Sequence, residues 1–219
     1  GTQVETEKWK DLLDNLRKDL GDTEARFRLI YLVDDFAGTG TSFLRYDDEK
    51  SKWKGKLLRF KDSVENATET LDGDKLFEDG WELCIHHYVA SSAAEAAIEE
   101  RLTKTTEVFG TGWARAMHAS FGMVLPRDLP INAVPDRYAD FLKLTQSYYD
   151  PIIRTKHTDV GGVTHLGLGY GGCGLPLVLD HNTPNNAIAL LWAETDGGDR
   201  DGVMAPAMRP LFRRRQRHA

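Results

Sequence analysis

The residues best placed to do chemistry stand together near the start of the chain, in Arg28–Ser42, "RLIYLVDDFAGTGTS". A short apolar run meets two adjacent carboxylates, Asp34 and Asp35. Phe36 and Ala37 follow, then Gly38, Thr39, Gly40, Thr41 and Ser42. Glycines let a backbone approach a ligand closely, and the hydroxyls of Thr39, Thr41 and Ser42 add donors, so residues 36–42 form a candidate phosphate cradle. The loop is expected to lead into a helix or helical turn near Ser42, whose free N–H groups and dipole favour an anion. The carboxylates repel a phosphate. They suit sugar hydroxyls instead, or a Mg²⁺ ion held through water. A ligand with a terminal phosphate beside a diol, such as ribose 5-phosphate, satisfies both halves.

Other readings of the stretch fit less well. No Lys follows the glycines as in a P-loop, and G-x-G-x-x-G is absent. An aspartyl-phosphate site wants a second carboxylate where Phe36 stands. The bland alternative is a solvated Asp-Asp turn capping a helix.

The surrounding pattern is that of an α/β sheet. Trp9, Leu12, Leu13, Leu16 and Leu20 recur at helical spacing before Gly21. Arg28–Val33 reads as a buried strand, and residues 43–72 as a loop and then a helix ending near Asp72-Gly73. Trp81–Ala90 reads as a second strand. Ser92-Ala93-Ala94-Glu95 looks like a capping box opening a helix to about Lys104. The order helix–strand–helix–strand–helix implies a mostly parallel sheet flanked by helices. Phe121–Leu125 reads as a short strand, Asp136–Gln146 as a helix and Leu175–Leu179 as a strand. The glycine-rich stretch 159–174 makes the C-terminal part irregular. The expected organisation is an amphipathic helix over 1–27, an α/β domain over 28–194 and a mobile basic tail over 195–219.

Bulk properties narrow the class. No apolar run is long enough to cross a bilayer, and no secretory signal opens the chain. Cys84 and Cys173 do not make a disulfide framework, so a reducing, cytoplasmic setting is expected. The net charge of −6 argues against a whole-surface nucleic-acid binder, although Arg209, Arg213, Arg214, Arg215 and Arg217 cluster at the end of the chain. His86 and His87 are adjacent on a strand and point to opposite faces, so they read as packing. Tyr170 among glycines is suited either to stacking on a base or to closing a loop. His181, Asn182, Asn185 and Asn186 read either as turn chemistry or as base or partner contacts.

The stretch "IYLVDDFAGTGTS" resembles the phosphoribosyl pyrophosphate (PRPP) binding motif of type I phosphoribosyltransferases. The resemblance implies that Asp34 and Asp35 face the ribose 2′- and 3′-hydroxyls and that Ala37–Ser42 wrap the 5′-phosphate. The stretch "LGLGYGGCGLPLVLDHNTPNNAIALLW", followed by "RPLFRRR", is similar to the C-terminal half of a divergent phosphoribosyltransferase-like group associated with bacterial conflict systems. That resemblance implies a PRPP or nucleotide ligand with Mg²⁺, a setting in anti-phage defence and a protein partner in a defence complex. The family's pyrophosphate loop lies upstream of the PRPP motif, whereas the residues before Arg28 read as one charged helix. Phosphoribosyl transfer is therefore expected only of a protein that carries that loop. The alternatives are a non-catalytic nucleotide sensor or regulatory subunit, and, on the arginine cluster alone, a nucleic-acid-binding module.

Overall fold

The computed structural model describes residues 5–71, 75–110 and 113–212. The expected helix end at Asp72-Gly73 and the arginines from 213 onward lie outside them. The chain divides into two compact units, Gly1–Val124 and Leu125–Ala219. Among the described residues no helix is long and apolar enough to cross a membrane.

The first unit runs α1 (Thr6–Leu20), β1 (Phe27–Ala37), β2 (Arg45–Asp47), β3 (Lys52–Lys54), α2 (Lys56–Thr70), β4 (Phe77–Ser91), α3 (Ser92–Thr103), α4 (Thr105–Phe109) and β5 (Ala116–Leu125). The sheet order is β1-β4-β5. β1 and β4 are parallel, in a register that sets Asp34 opposite His87 and Ala37 opposite Ala90. β5 follows β4 at one constant offset: Arg115 N–H donates to Trp81 O, and His86 Nδ1 lies 2.9 Å from Ser120 Oγ. β5 is therefore parallel to β4 and longer than the strand read over Phe121–Leu125.

Side-chain alternation divides this sheet into two faces. Trp81, Leu83 and Ile85 are buried with Leu57, Ala94 and Ile98 of the helices, and Ile30 and Leu32 pack against that core. On α1, Trp9 and Leu13 close against Val64 and Ala67 of α2, beside Phe27, Phe60 and Phe77. Trp9 also donates its indole N–H to Ser63 Oγ at 3.2 Å. α1 is thus an integral layer of the unit. It ends at Gly21, whose φ of 65° brings its N–H back onto the carbonyls of Arg17 and Lys18. On the opposite sheet face Leu29, Tyr31, Val33 and Tyr88 are exposed.

The second unit is built from short elements: α5 (Ala139–Ser147), α6 (Lys156–Asp159), α7 (Ala189–Trp192), and the hairpin β6 (Gly198–Arg200) with β7 (Val203–Ala205). Ile131, Ala187, Ile188 and Leu191 form one buried cluster, and Ala189, Ala193 and Met208 another. Leu175–Leu179 is not a strand. Leu175 makes one parallel bridge to Ala187, and Leu179 bridges Asn182 across a tight turn. Residues 195–212, read as the start of a mobile tail, hold the hairpin instead. Asp150, which has no exposed surface, takes two hydrogen bonds from Arg200, at 2.9 and 3.0 Å.

Candidate functional site

β1 carries both acidic residues, and it continues through Phe36 and Ala37 rather than stopping before them. Strand alternation sends Asp34 to the helix-covered face and Asp35 to the other. Asp34 Oδ2 accepts a hydrogen bond from Lys56 Nζ, where Lys56 is the first residue of α2. His87 faces the same side, with Nε2 4.0 Å from Asp34 Oδ2, too far for a hydrogen bond. Asp35 Oδ1 accepts from the Phe36 N–H at 2.8 Å.

His87 is 3% exposed. Its ring stacks on Phe121 at 5.9 Å and meets Phe43 edge-on at 6.3 Å. Its Nδ1 is buried with no hydrogen-bond partner. Burial pushes the His87 pKa below the ordinary imidazole value, and the pull of the Asp34 carboxylate only partly offsets this.

The loop after β1 is fixed through its carbonyls. Ser91 Oγ donates to Gly38 O at 2.6 Å, and the Phe43 N–H to Gly40 O at 3.1 Å. Arg45 Nη1 donates to Thr41 O at 3.1 Å, and the Lys56 N–H to Ser42 O at 2.9 Å. Because the peptide is planar and trans, each N–H points opposite to the carbonyl of the same unit. The amides of Thr39 and Ser42 are thereby turned away from Ser91 and Arg45. The hydroxyls of Thr39 and Thr41 lie 2.8 Å apart. Gly40, at φ +69°, lies against α3: a Cβ there would stand 3.0 Å from Arg101 Nη1 and 3.4 Å from Ala94 O.

The loop does not run into a helix. Residues 41–43 make a single turn before β2, so the expected dipole from a following helix is absent. The helix tied to the loop is α3, through Ser91. This buried side chain caps α3 by accepting from the Ala94 N–H at 3.0 Å while donating to Gly38 O. The cap is Ser91 rather than the predicted Ser92.

Five residues of this neighbourhood were not singled out for the site from the sequence: Arg45, Lys56, His87, Ser91 and Arg101. A helix start near residue 91 was legible, but its second bond back to Gly38 was not. An open groove of about 900 Å³ elsewhere in the unit is lined by Asp62, Glu65, Glu69, Trp81 and Trp113. Its acidic rim does not suit a phosphate.

Tyr170, His181, Asn182, Asn185 and Asn186 belong to the second unit. Asn186 is buried, and its amide donates to Tyr170 O at 3.2 Å and contacts Cys173 Sγ at 3.4 Å. The Asn185 carbonyl accepts from the Tyr170 N–H at 2.6 Å. These residues staple the glycine turn onto the 182–186 segment. Gly169, at φ +79°, is required there because a Cβ would fall 2.3 Å from Ala187 O. His181 and Asn185 remain exposed. Cys173 is half-buried, and burial raises its thiol pKa above the ordinary value.

Parallel β-α-β connections and an acidic pair followed by a Gly/Thr loop at the carboxyl end of β1 define a phosphoribosyltransferase-type α/β protein. The chain belongs to the PRTase-CE family, which matches residues 3–214. No curated protein and no solved structure matches it.

Proposed function

We propose that the first unit binds the ribose 5-phosphate end of PRPP or of a nucleotide at the carboxyl end of β1. The observation that carries this reading is the loop Gly38–Ser42, whose carbonyls of Gly38, Gly40, Thr41 and Ser42 are each taken by a protein donor. Fixed carbonyls aim the Thr39 and Ser42 amides outward, and amides aimed in this way suit an anion. Asp34, on the helix face beside the loop, is the acceptor for a ribose hydroxyl, while Asp35 projects from the opposite face of the strand.

Among the described residues no three His, Cys, Asp or Glu side chains converge on one point. Lys56 engages Asp34, and the Phe36 amide engages Asp35. This donor set suits a Mg²⁺ ion carried on the ligand's own phosphate oxygens, with Asp34 reaching it through water. Such an ion would neutralise charge on a pyrophosphate group. The similarity of residues 166–192 and 209–215 to the conflict-associated group supports a setting in anti-phage defence.

Calorimetry with PRPP, ribose 5-phosphate and ribose, with and without Mg²⁺, tests the reading. Both phosphates should bind, ribose should not, and Mg²⁺ should strengthen PRPP alone. A chain that binds neither phosphate would overturn it. Pyrophosphate release from PRPP in the presence of nucleobases separates transfer from sensing.

A further inference from the structure

We infer that Arg101, half-buried with one guanidinium nitrogen sealed from solvent, is a counter-charge that makes the Gly38–Ser42 loop select a dianionic terminal phosphate over a monoanionic ester, an inference resting on the ribose-phosphate reading above. Arg101 lies on α3, and Ala94, Ile98 and Arg101 form the helix face against which Gly40 packs. Its Nη1 is sealed from solvent and has no hydrogen-bond partner. Glycine at position 40 leaves the guanidinium its place, since a Cβ would crowd Nη1 at 3.0 Å.

Among the described residues no carboxylate forms an ion pair with Arg101. Glu100, the adjacent carboxylate, receives Lys104 Nζ at 2.7 Å. Arg45, the other guanidinium at the loop, is engaged by a carbonyl, Thr41 O, and carries the same sign. Burial lowers the Arg101 pKa from its ordinary value; Glu100 opposes this, and Arg45 adds to it. A guanidinium that only covered apolar surface with its stem would extend its head into water. Here a donor is turned inward, against the Gly40 turn of the loop. Sealing one guanidinium nitrogen without a partner costs stability, and a doubly charged group held on the loop would supply a partner charge across it.

Three chains test this: the wild type, Arg101→Met, which keeps length without charge, and Arg101→Lys, which keeps charge. Each is titrated at pH 8 with inorganic phosphate, with ribose 5-phosphate, whose second pKa is about 6, and with the methyl diester of ribose 5-phosphate, a monoanion. The wild type should prefer ribose 5-phosphate to the diester by roughly tenfold or more. Arg101→Met should lose that preference while its thermal midpoint holds or rises, and Arg101→Lys should regain part of it.

If Arg101→Met keeps the preference, or unfolds at a lower temperature with the preference intact, Arg101 is structural and the inference fails. Arg101→Gln replaces Arg101→Met should the latter not fold. Equal binding of ribose 5-phosphate by the wild type and Arg101→Met overturns the inference and leaves the ribose-phosphate reading standing. Arg101-dependent binding of inorganic phosphate with no gain from ribose does the reverse. No binding of any phosphate overturns both.

Discussion

Asp34 and His87 stand opposite each other at the carboxyl ends of two adjacent parallel strands, with His87 Nε2 4.0 Å from Asp34 Oδ2. The imidazole is enclosed by Phe43 and Phe121, and its other nitrogen has no partner. An enclosed imidazole is thus built into the wall of the candidate site, directly behind the carboxylate that Lys56 holds.

The first prediction concerns pH. The His87 pKa is lowered in the folded state, mainly by burial, so the unfolded chain binds the proton more readily. Stability is then full above the unfolded value of about 6.5 and falls as pH drops below it, until the folded-state value is passed. Urea unfolding of the first unit between pH 5 and 8 should show this slope. His87→Phe, which suits the aromatic surroundings, should flatten it. An unchanged slope would assign the acid sensitivity to other groups.

A second prediction separates the two carboxylates. Asp34 projects to the face where α2 and α3 hold the loop, and Asp35 to the opposite one. Asp34→Asn should therefore weaken PRPP binding by roughly tenfold or more, from the loss of a charged acceptor. Asp35→Asn should weaken it less. The Asp34–Lys56 pair is partly exposed, so Asp34→Asn should change stability by no more than about 1 kcal/mol. Calorimetry and chemical denaturation of both variants decide this, and equal losses would place both carboxylates on the diol.

Gly40 permits a third. Its φ of +69° lies in the left-handed region, and a Cβ would press on Arg101 Nη1, on Ile98 Cγ1 at 3.2 Å and on Ala94 O. Gly40→Ala should cost roughly 1–2 kcal/mol from the backbone alone. It should also weaken phosphate binding, because the loop must shift away from α3. Thermal unfolding and phosphate titration of the variant measure the two effects separately.

The parallel order of β1 and β4 was legible because both strands are apolar runs separated by a helical pattern. The acidic pair and the Gly/Thr loop were legible as a contiguous motif. The geometry of the pair was legible too, but only if the alternation that separates His86 from His87 is applied equally to Asp34 and Asp35. The supports of the loop were not legible. Lys56 reaches Asp34 from 22 residues away, and Ser91 reaches Gly38 from 53 residues away; no local pattern encodes such a contact. Leu175–Leu179 has the composition of a strand, yet among the described residues it makes only single bridges, to Ala187 and Asn182. The glycine turn and the Asn186 amide, rather than a ladder, hold that region together.

The last prediction concerns the second unit and its clasp. Asp150 has no exposed surface, and its carboxylate is held by Arg200 from one side and by the Ile152 N–H, at 3.0 Å, from another. The hydrogen bonds from Arg200 are the main reason its pKa falls to about 2 from an ordinary 3.8, against the opposing effect of burial. With the folded value below the unfolded one, the stabilisation is complete above about pH 4. It is lost as pH falls toward 2. Arg200→Ala removes the partner but leaves the carboxylate enclosed, so it should cost about 1–3 kcal/mol near neutral pH. Asp150→Asn should cost less, because the amide still fills the space and Arg200, itself partly exposed, keeps the carbonyls of Gly197 and Asp199. The two variants should also differ in acid. Asp150→Asn removes this group's contribution to the loss of stability below pH 4, whereas Arg200→Ala raises the Asp150 pKa and moves the onset of the change to higher pH. Unfolding of the second unit followed from pH 2 to 7 by tryptophan fluorescence, with Trp192 as the local reporter, reads both effects. Arg200→Ala unfolding like the wild type across that range would show that the hairpin is held by Met208 and its apolar neighbours rather than by the ion pair.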